Sequence, residues 1–170
     1  MLASLFRRLT ADPNGGTFLF DALTSEARQP HWYVEGGVPD TIDGRFAVLA
    51  TLTALAMVRF EQAGDQGHVP SVALTERFVQ VMESEHRELG LGDPTLGKQV
   101  RRLVGSLARR VELWRTTTGE EGSWGKSARE SLYKTDVSSE ALAHSARSVQ
   151  NFWTKACGRD ISELAQGRLE

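Results

Sequence analysis

The chain holds a single cysteine, Cys157, among 170 residues. That excludes an internal disulfide framework and any zinc cluster built on several thiolates, and it fits a reducing compartment. No apolar run reaches the about 20 residues that a membrane-spanning helix needs. Basic excess is missing as well: 20 Lys and Arg stand against 22 Asp and Glu, for a net charge of -2. A dedicated nucleic-acid binder with a global positive field is therefore excluded, and any anionic partner must be met by a local patch. The sequence contains no internal repeat, no low-complexity tract, no useful strand-period alternation, no P-loop and no G-x-S-x-G. Its opening, MLASLFRRLTAD, sets arginines behind a very short apolar patch and lacks the long apolar core of a secretory signal.

What is present is helical periodicity, organised around Gly36 to Phe60. Between Phe46 and Phe60 only Thr51, Thr53 and Arg59 are not apolar, so a helix here is buried on nearly every side. Its start is well marked. Pro39 stops any preceding helix, Asp40 or Thr41 can cap, and Asp43 falls in the first turn, where the helix dipole favours a carboxylate. Gly44 costs up to about 1 kcal/mol against alanine inside a helix, which implies that another stretch of backbone approaches closely there.

Around this central helix, expected over about 41–63, the remaining chain reads as one all-α domain, an irregular bundle spanning 15–170 behind a short N-terminal helix and loop at 1–14. In the N-terminal piece Leu2, Leu5, Phe6 and Leu9 share a face. Phe18, Leu19, Ala22, Leu23 and Ala27 form a helix that ends at Pro30, and His31 to Val34 is either a single turn or an extended piece. The linker Gly64 to Gly67 leads to a helix from about Ser71 to Leu89 with Leu74, Phe78, Val81, Met82 and Leu89 as its buried stripe and Gly90 as its stop. After Asp93-Pro94, Leu96, Val100, Leu103, Leu107, Val111 and Trp114 make the most regular stripe of the chain. Thr116 to Gly125 reads as a loop. A short helix through Ala128 and Leu132, a helix capped by Ser138 or Ser139, and a last turn at Ile161 to Ala165 complete the reading.

Several constellations carry chemistry in principle. Glu83 and His86 have the three-residue spacing of di-iron bundles, and Glu140 with His144 is spaced by four, but neither pair lies within an apolar stripe. Asp40 and Asp43 at a helix start can hold Mg2+ with a phosphate, although helix entry alone explains both. A metal-dependent bundle enzyme on these residues is the alternative to a binding protein without metal or cofactor. Lys98, Arg101, Arg102, Arg109 and Arg110 concentrate one sign of charge on a single helix, where Glu112 is the nearby acid. They form either a solvated face or a docking surface for RNA, acidic lipid or an acidic partner.

The segment Val38-Pro-Asp-Thr-Ile-Asp-Gly-Arg-Phe46, together with Ala27-Arg28, Trp32-Tyr33, Arg87-Glu-Leu-Gly-Leu-Gly-Asp93, Lys98, Arg101, Arg102 and Arg110, resembles the ubiquinol-cytochrome c chaperone family, over most of residues 15–168. The resemblance implies a non-catalytic, cofactor-free assembly chaperone that binds newly made cytochrome b, acting with a small partner protein near the ribosome. It looks like a bacterial member working in the cytoplasm, peripheral to the inner membrane, without sequence-specific nucleic acid. The expected client surface is Trp32, Tyr33, Val38, Pro39, Asp40, Thr41, Asp43, Arg45, Phe46 and Asp93, with Lys98, Arg101, Arg102, Arg109 and Arg110 as a basic face toward ribosome or anionic membrane. A client with apolar helices needs an apolar groove, and Trp32, Tyr33, Val38 and Phe46 can rim one; ordinary core is the other reading of these four.

Overall fold

The computed structural model describes residues 16–119 and 124–169. These form seven α-helices, with no strand among the described residues: α1 Thr17–Ala27, α2 Ile42–Gln62, α3 Asp65–Glu88, α4 Asp93–Gly119, α5 Trp124–Leu132, α6 Ser139–Cys157 and α7 Ile161–Ala165. A 3-10 turn at Pro30–Trp32 stands between α1 and α2. The amphipathic piece expected at residues 2–9 lies outside the described residues.

Helix α2 is the buried rod that its composition demands. Thr41 is its cap, accepting a hydrogen bond from the Gly44 amide, and Asp43 lies in the first turn. From Val48 to Val58 almost every side chain is buried, and α2 packs against α1, α3, α4, α5 and α6. Thr51 and Thr53 are fully buried, which an apolar interior tolerates because both hydroxyls donate to the carbonyl four residues back. Thr51 also meets the Ser131 hydroxyl at 2.6 Å, and Ser131 accepts from the Trp114 indole at 3.2 Å. One small polar chain thus joins α2, α5 and α4 inside the core.

Helix α4 buries all six positions of its expected stripe, from Leu96 to Trp114. Two boundaries differ from expectation. Helix α3 begins at Asp65, six residues before Ser71, with Pro70 inside it; the linker is a corner folded so tightly that a Cβ on Gly67 would lie 1.8 Å from the Phe60 carbonyl oxygen. Leu89, expected in the α3 stripe, is exposed just past the helix end, before Gly90 at φ 82. The Thr116–Gly119 stretch, read as loop, continues α4: buried Thr117 donates to the Leu113 carbonyl and meets the Ser127 hydroxyl at 2.6 Å, so this turn of helix is held against α5. Ser138, and not Ser139, caps α6.

Candidate functional site

The first turn of α2 stands between two clefts. One, of about 450 Å³, is enclosed by that turn, α4 and the end of α5; the other, of about 260 Å³, lies between α2, α1, α3 and α4. Asp43, Phe46, Arg102 and Leu103 line both. Phe46 is the shared partition, half-buried, with its ring 6.1 Å from that of Phe78 below it.

The turn before α2 takes this shape because Gly44 has no side chain. A Cβ there would sit 1.9 Å from the Pro39 carbonyl oxygen, so the Val38–Thr41 strap folds directly over the helix start. This is the close backbone approach that a glycine in the first turn implies. Val38 is driven into the core beside Trp32, whose indole donates to the Glu26 carbonyl at 3.0 Å. Trp32 and Val38 are therefore interior residues that hold the strap. Tyr33 is half-buried; its hydroxyl donates to the Ala27 carbonyl at 2.5 Å, and burial pushes its pKa up.

Two charge pairs stand on the rim. Arg45 donates to Asp40 at 2.6 Å and lies 5.8 Å from the centre of the Tyr33 ring. Lys134 donates to Asp43 at 2.7 Å. The hydrogen bond from Arg45 lowers the pKa of Asp40, and that from Lys134 does the same for Asp43. Each carboxylate of the Asp40–Asp43 pair thus answers a different cation.

The second cleft carries several large apolar side chains. Tyr33, Ile42, Phe46, Leu49, Met82 and Leu103 supply its apolar wall, and Arg28, Arg45 and Arg102 stand there with the carboxylates of Asp43 and Glu85. Ile42 is 75% exposed at the mouth. A surface of this kind receives an apolar segment edged by polar groups.

Residues 34–145 match the ubiquinol-cytochrome C chaperone family. The chain belongs to this family. The match covers every residue lining the first cleft and all but Thr24, Ala27, Arg28 and Tyr33 of the second. The chain is also similar to the crystal structure of the Cbp3 homolog from Brucella abortus, at 22% identity and a TM-score of 0.74, covering 98% of this chain and 94% of that one. That likeness shows a shared fold. No curated protein matches. Family membership carries a chaperone role in assembly of the ubiquinol-cytochrome c reductase.

The ubiquinol-cytochrome c chaperone fold brings Tyr33, Pro39, Thr41, Asp43, Arg45 and Phe46 to the two clefts, with Arg102, Arg109 and Arg110 beside them. Asp40 pairs with Arg45 just outside, and Asp93 opens α4 on an exposed turn that lines neither cleft. Lys98, Arg101, Arg102 and Arg109 are exposed on α4, whereas Arg110 is largely withdrawn. Sequence reading missed Ile42, Leu49 and Lys134. Ile42 carried a signal, a large apolar residue at the first helical position on the side away from the core; Lys134 carried none, being far along the chain from Asp43.

Among the described residues no group of three His, Cys, Asp or Glu side chains converges. His86 donates from Nδ1 to the Met82 carbonyl at 2.8 Å, Glu83 is exposed, and His144 Nε2 lies 3.1 Å from His31 Nδ1. Among the described residues no helix is long and apolar enough to cross a membrane.

Proposed function

We propose that this chaperone receives newly made cytochrome b and holds an apolar segment of it along the second cleft, against Phe46, Ile42 and Tyr33, without catalysing a reaction. One observation carries the reading: the family match covers most of the second cleft, where Ile42, Phe46, Leu49, Met82 and Leu103 offer apolar surface beside charged side chains of both signs that can meet the polar ends of a membrane segment. Work at the cytoplasmic face of a bacterial inner membrane follows from that client. A small partner protein acts beside it, and Lys98, Arg101, Arg102 and Arg109 meet the ribosome or the anionic bilayer.

Deleting the gene and measuring assembled cytochrome b tests the role; an unchanged amount of the complex rejects it. Photo-crosslinkers at positions 42 and 33 test the surface, with capture of nascent cytochrome b as the expected result. Charge reversal at Arg101, Arg102 and Arg109 is expected to weaken co-sedimentation with ribosomes or acidic vesicles, as is added salt.

A further inference from the structure

Arg110 holds a charge for which the described residues supply no counter-ion. Nη1 donates to the backbone and hydroxyl oxygens of Ser106, and Nη2 donates to the Ser131 carbonyl at 2.8 Å. All three acceptors are neutral. Its Nε is buried without a partner, and no carboxylate of the described residues forms an ion pair with it. Burial, with repulsion from Arg109, lowers the Arg110 pKa to about 10. The group is still charged at neutral pH. A withdrawn charge lacking a counter-ion is unfavourable, and an anion entering the first cleft would relieve it.

The rest of that cleft has matching character. Arg102, Arg109 and Lys134 line it with Arg110, against only Asp43 and Glu130. The excess is two positive charges; Lys134 and Asp43 pair with each other, which leaves the three arginines against Glu130. The N-terminus of the 21-residue helix α2 adds its positive dipole end at the same wall. Phe46, Ala47, Leu103 and Leu132 supply apolar wall beside the cations, with the Phe46 ring 5.8 Å from the Arg110 guanidinium carbon.

We propose that the cleft between the α2 start, α4 and α5 binds a phosphate group, as free phosphate or as a phosphate monoester whose carbon portion lies on the apolar wall. Three guanidinium groups suit a tetrahedral dianion with several acceptor oxygens better than a monovalent carboxylate. The site shares Asp43, Phe46, Arg102 and Leu103 with the proposed client cleft, but its probes contain no polypeptide, so its test is read independently of cytochrome b binding.

Isothermal titration calorimetry on the purified full chain, at constant ionic strength in chloride buffer, tests it with two probes: inorganic phosphate and dihexanoyl phosphatidic acid. Arg110→Gln removes the central cation but also uncaps α5, so Arg102→Ala, on the exposed rim, carries the decision. Phosphate binding that Arg102→Ala weakens about tenfold, the loss of one charge-assisted hydrogen bond, supports the site and shows that the free oxyanion suffices. Binding of the lipid alone, weakened to the same degree by Arg102→Ala but not by Arg101→Ala, which lies outside the cleft, supports it and assigns the phosphate to a lipid headgroup; equal weakening by both overturns it in favour of the basic face. No binding of either probe, or binding equal in wild type and Arg102→Ala, overturns the proposal.

Discussion

Arg110 of α4 donates to the carbonyl oxygen of Ser131, in the last turn of α5, at 2.8 Å. That carbonyl belongs to the group at a helix C-terminus that has no partner within the helix, and a cation there also meets the negative end of the dipole. Arg110 thus caps a nine-residue helix too short to persist without tertiary support. Arg110→Met keeps much of the apolar stem and removes the donors. The lost cap outweighs the relief of the uncompensated charge, so the fold is expected to be destabilised by about 1 kcal/mol, with a Tm fall of about 2–4 °C per kcal/mol for a chain of this size. Thermal unfolding by circular dichroism measures it, and an unchanged Tm would show that the cap is dispensable.

Gly44 and Gly67 are placed by the tightest contacts with carbonyl oxygens. Added Cβ atoms at Gly44 and Gly67 would lie 1.9 Å from the Pro39 oxygen and 1.8 Å from the Phe60 oxygen, distances that only backbone movement relieves. Gly44→Ala and Gly67→Ala are each expected to lose at least about 2 kcal/mol in urea unfolding. Gly105 provides the contrast: it lies inside α4, and the nearest atom to a Cβ there is the Arg109 Nη1 at 3.8 Å. Gly105→Ala is expected to stabilise by up to about 1 kcal/mol.

These contacts mark how far sequence reasoning reaches. Leu96 to Trp114 was readable because a solvent-facing helix displays its buried stripe as a local period. Gly44 was readable too, as a residue that local helix preference disfavours and that therefore needs an outside reason. The start of α3 was not, since Gly67 and Pro70 are turn residues by composition and helical only because α2 crosses so closely at Phe60. Trp32 and Val38 resisted for another reason. Aromatic and β-branched residues around a glycine turn suit a groove rim and a core equally, and only the fold of the strap over Gly44 sends them inward.

The Lys134–Asp43 pair couples the start of α2 to the residues after α5, and its pH dependence has a definite sign. The Lys134 hydrogen bond lowers the folded-state pKa of Asp43. Its stabilising effect is therefore complete above the unfolded carboxylate pKa of about 3.9 and is lost as pH falls through the lower folded value. Between about pH 5 and pH 8 the pair is expected to contribute no slope. Tm measured down the acid limb should fall less steeply in Asp43→Asn than in wild type, with the two curves parallel near neutrality. Both groups are largely exposed, so the difference is small and shrinks in high salt.

Trp32 and Ile42 lie in one short stretch, yet one is core and the other exposed, and that contrast separates a folding defect from a loss of the proposed client capture. Trp32 is fully buried and hydrogen-bonded to the Glu26 carbonyl, while Ile42 is 75% exposed at the mouth of the second cleft. Trp32→Ala is expected to cost about 3–5 kcal/mol, so any loss of function follows from loss of folded protein and tracks its abundance. Ile42→Glu touches no core contact and is expected to leave stability within about 0.5 kcal/mol. It places a charge where an apolar segment would lie, so capture of nascent cytochrome b in cells should drop several-fold at unchanged chaperone level. Equal capture by Ile42→Glu and wild type would move the client to another surface of the molecule.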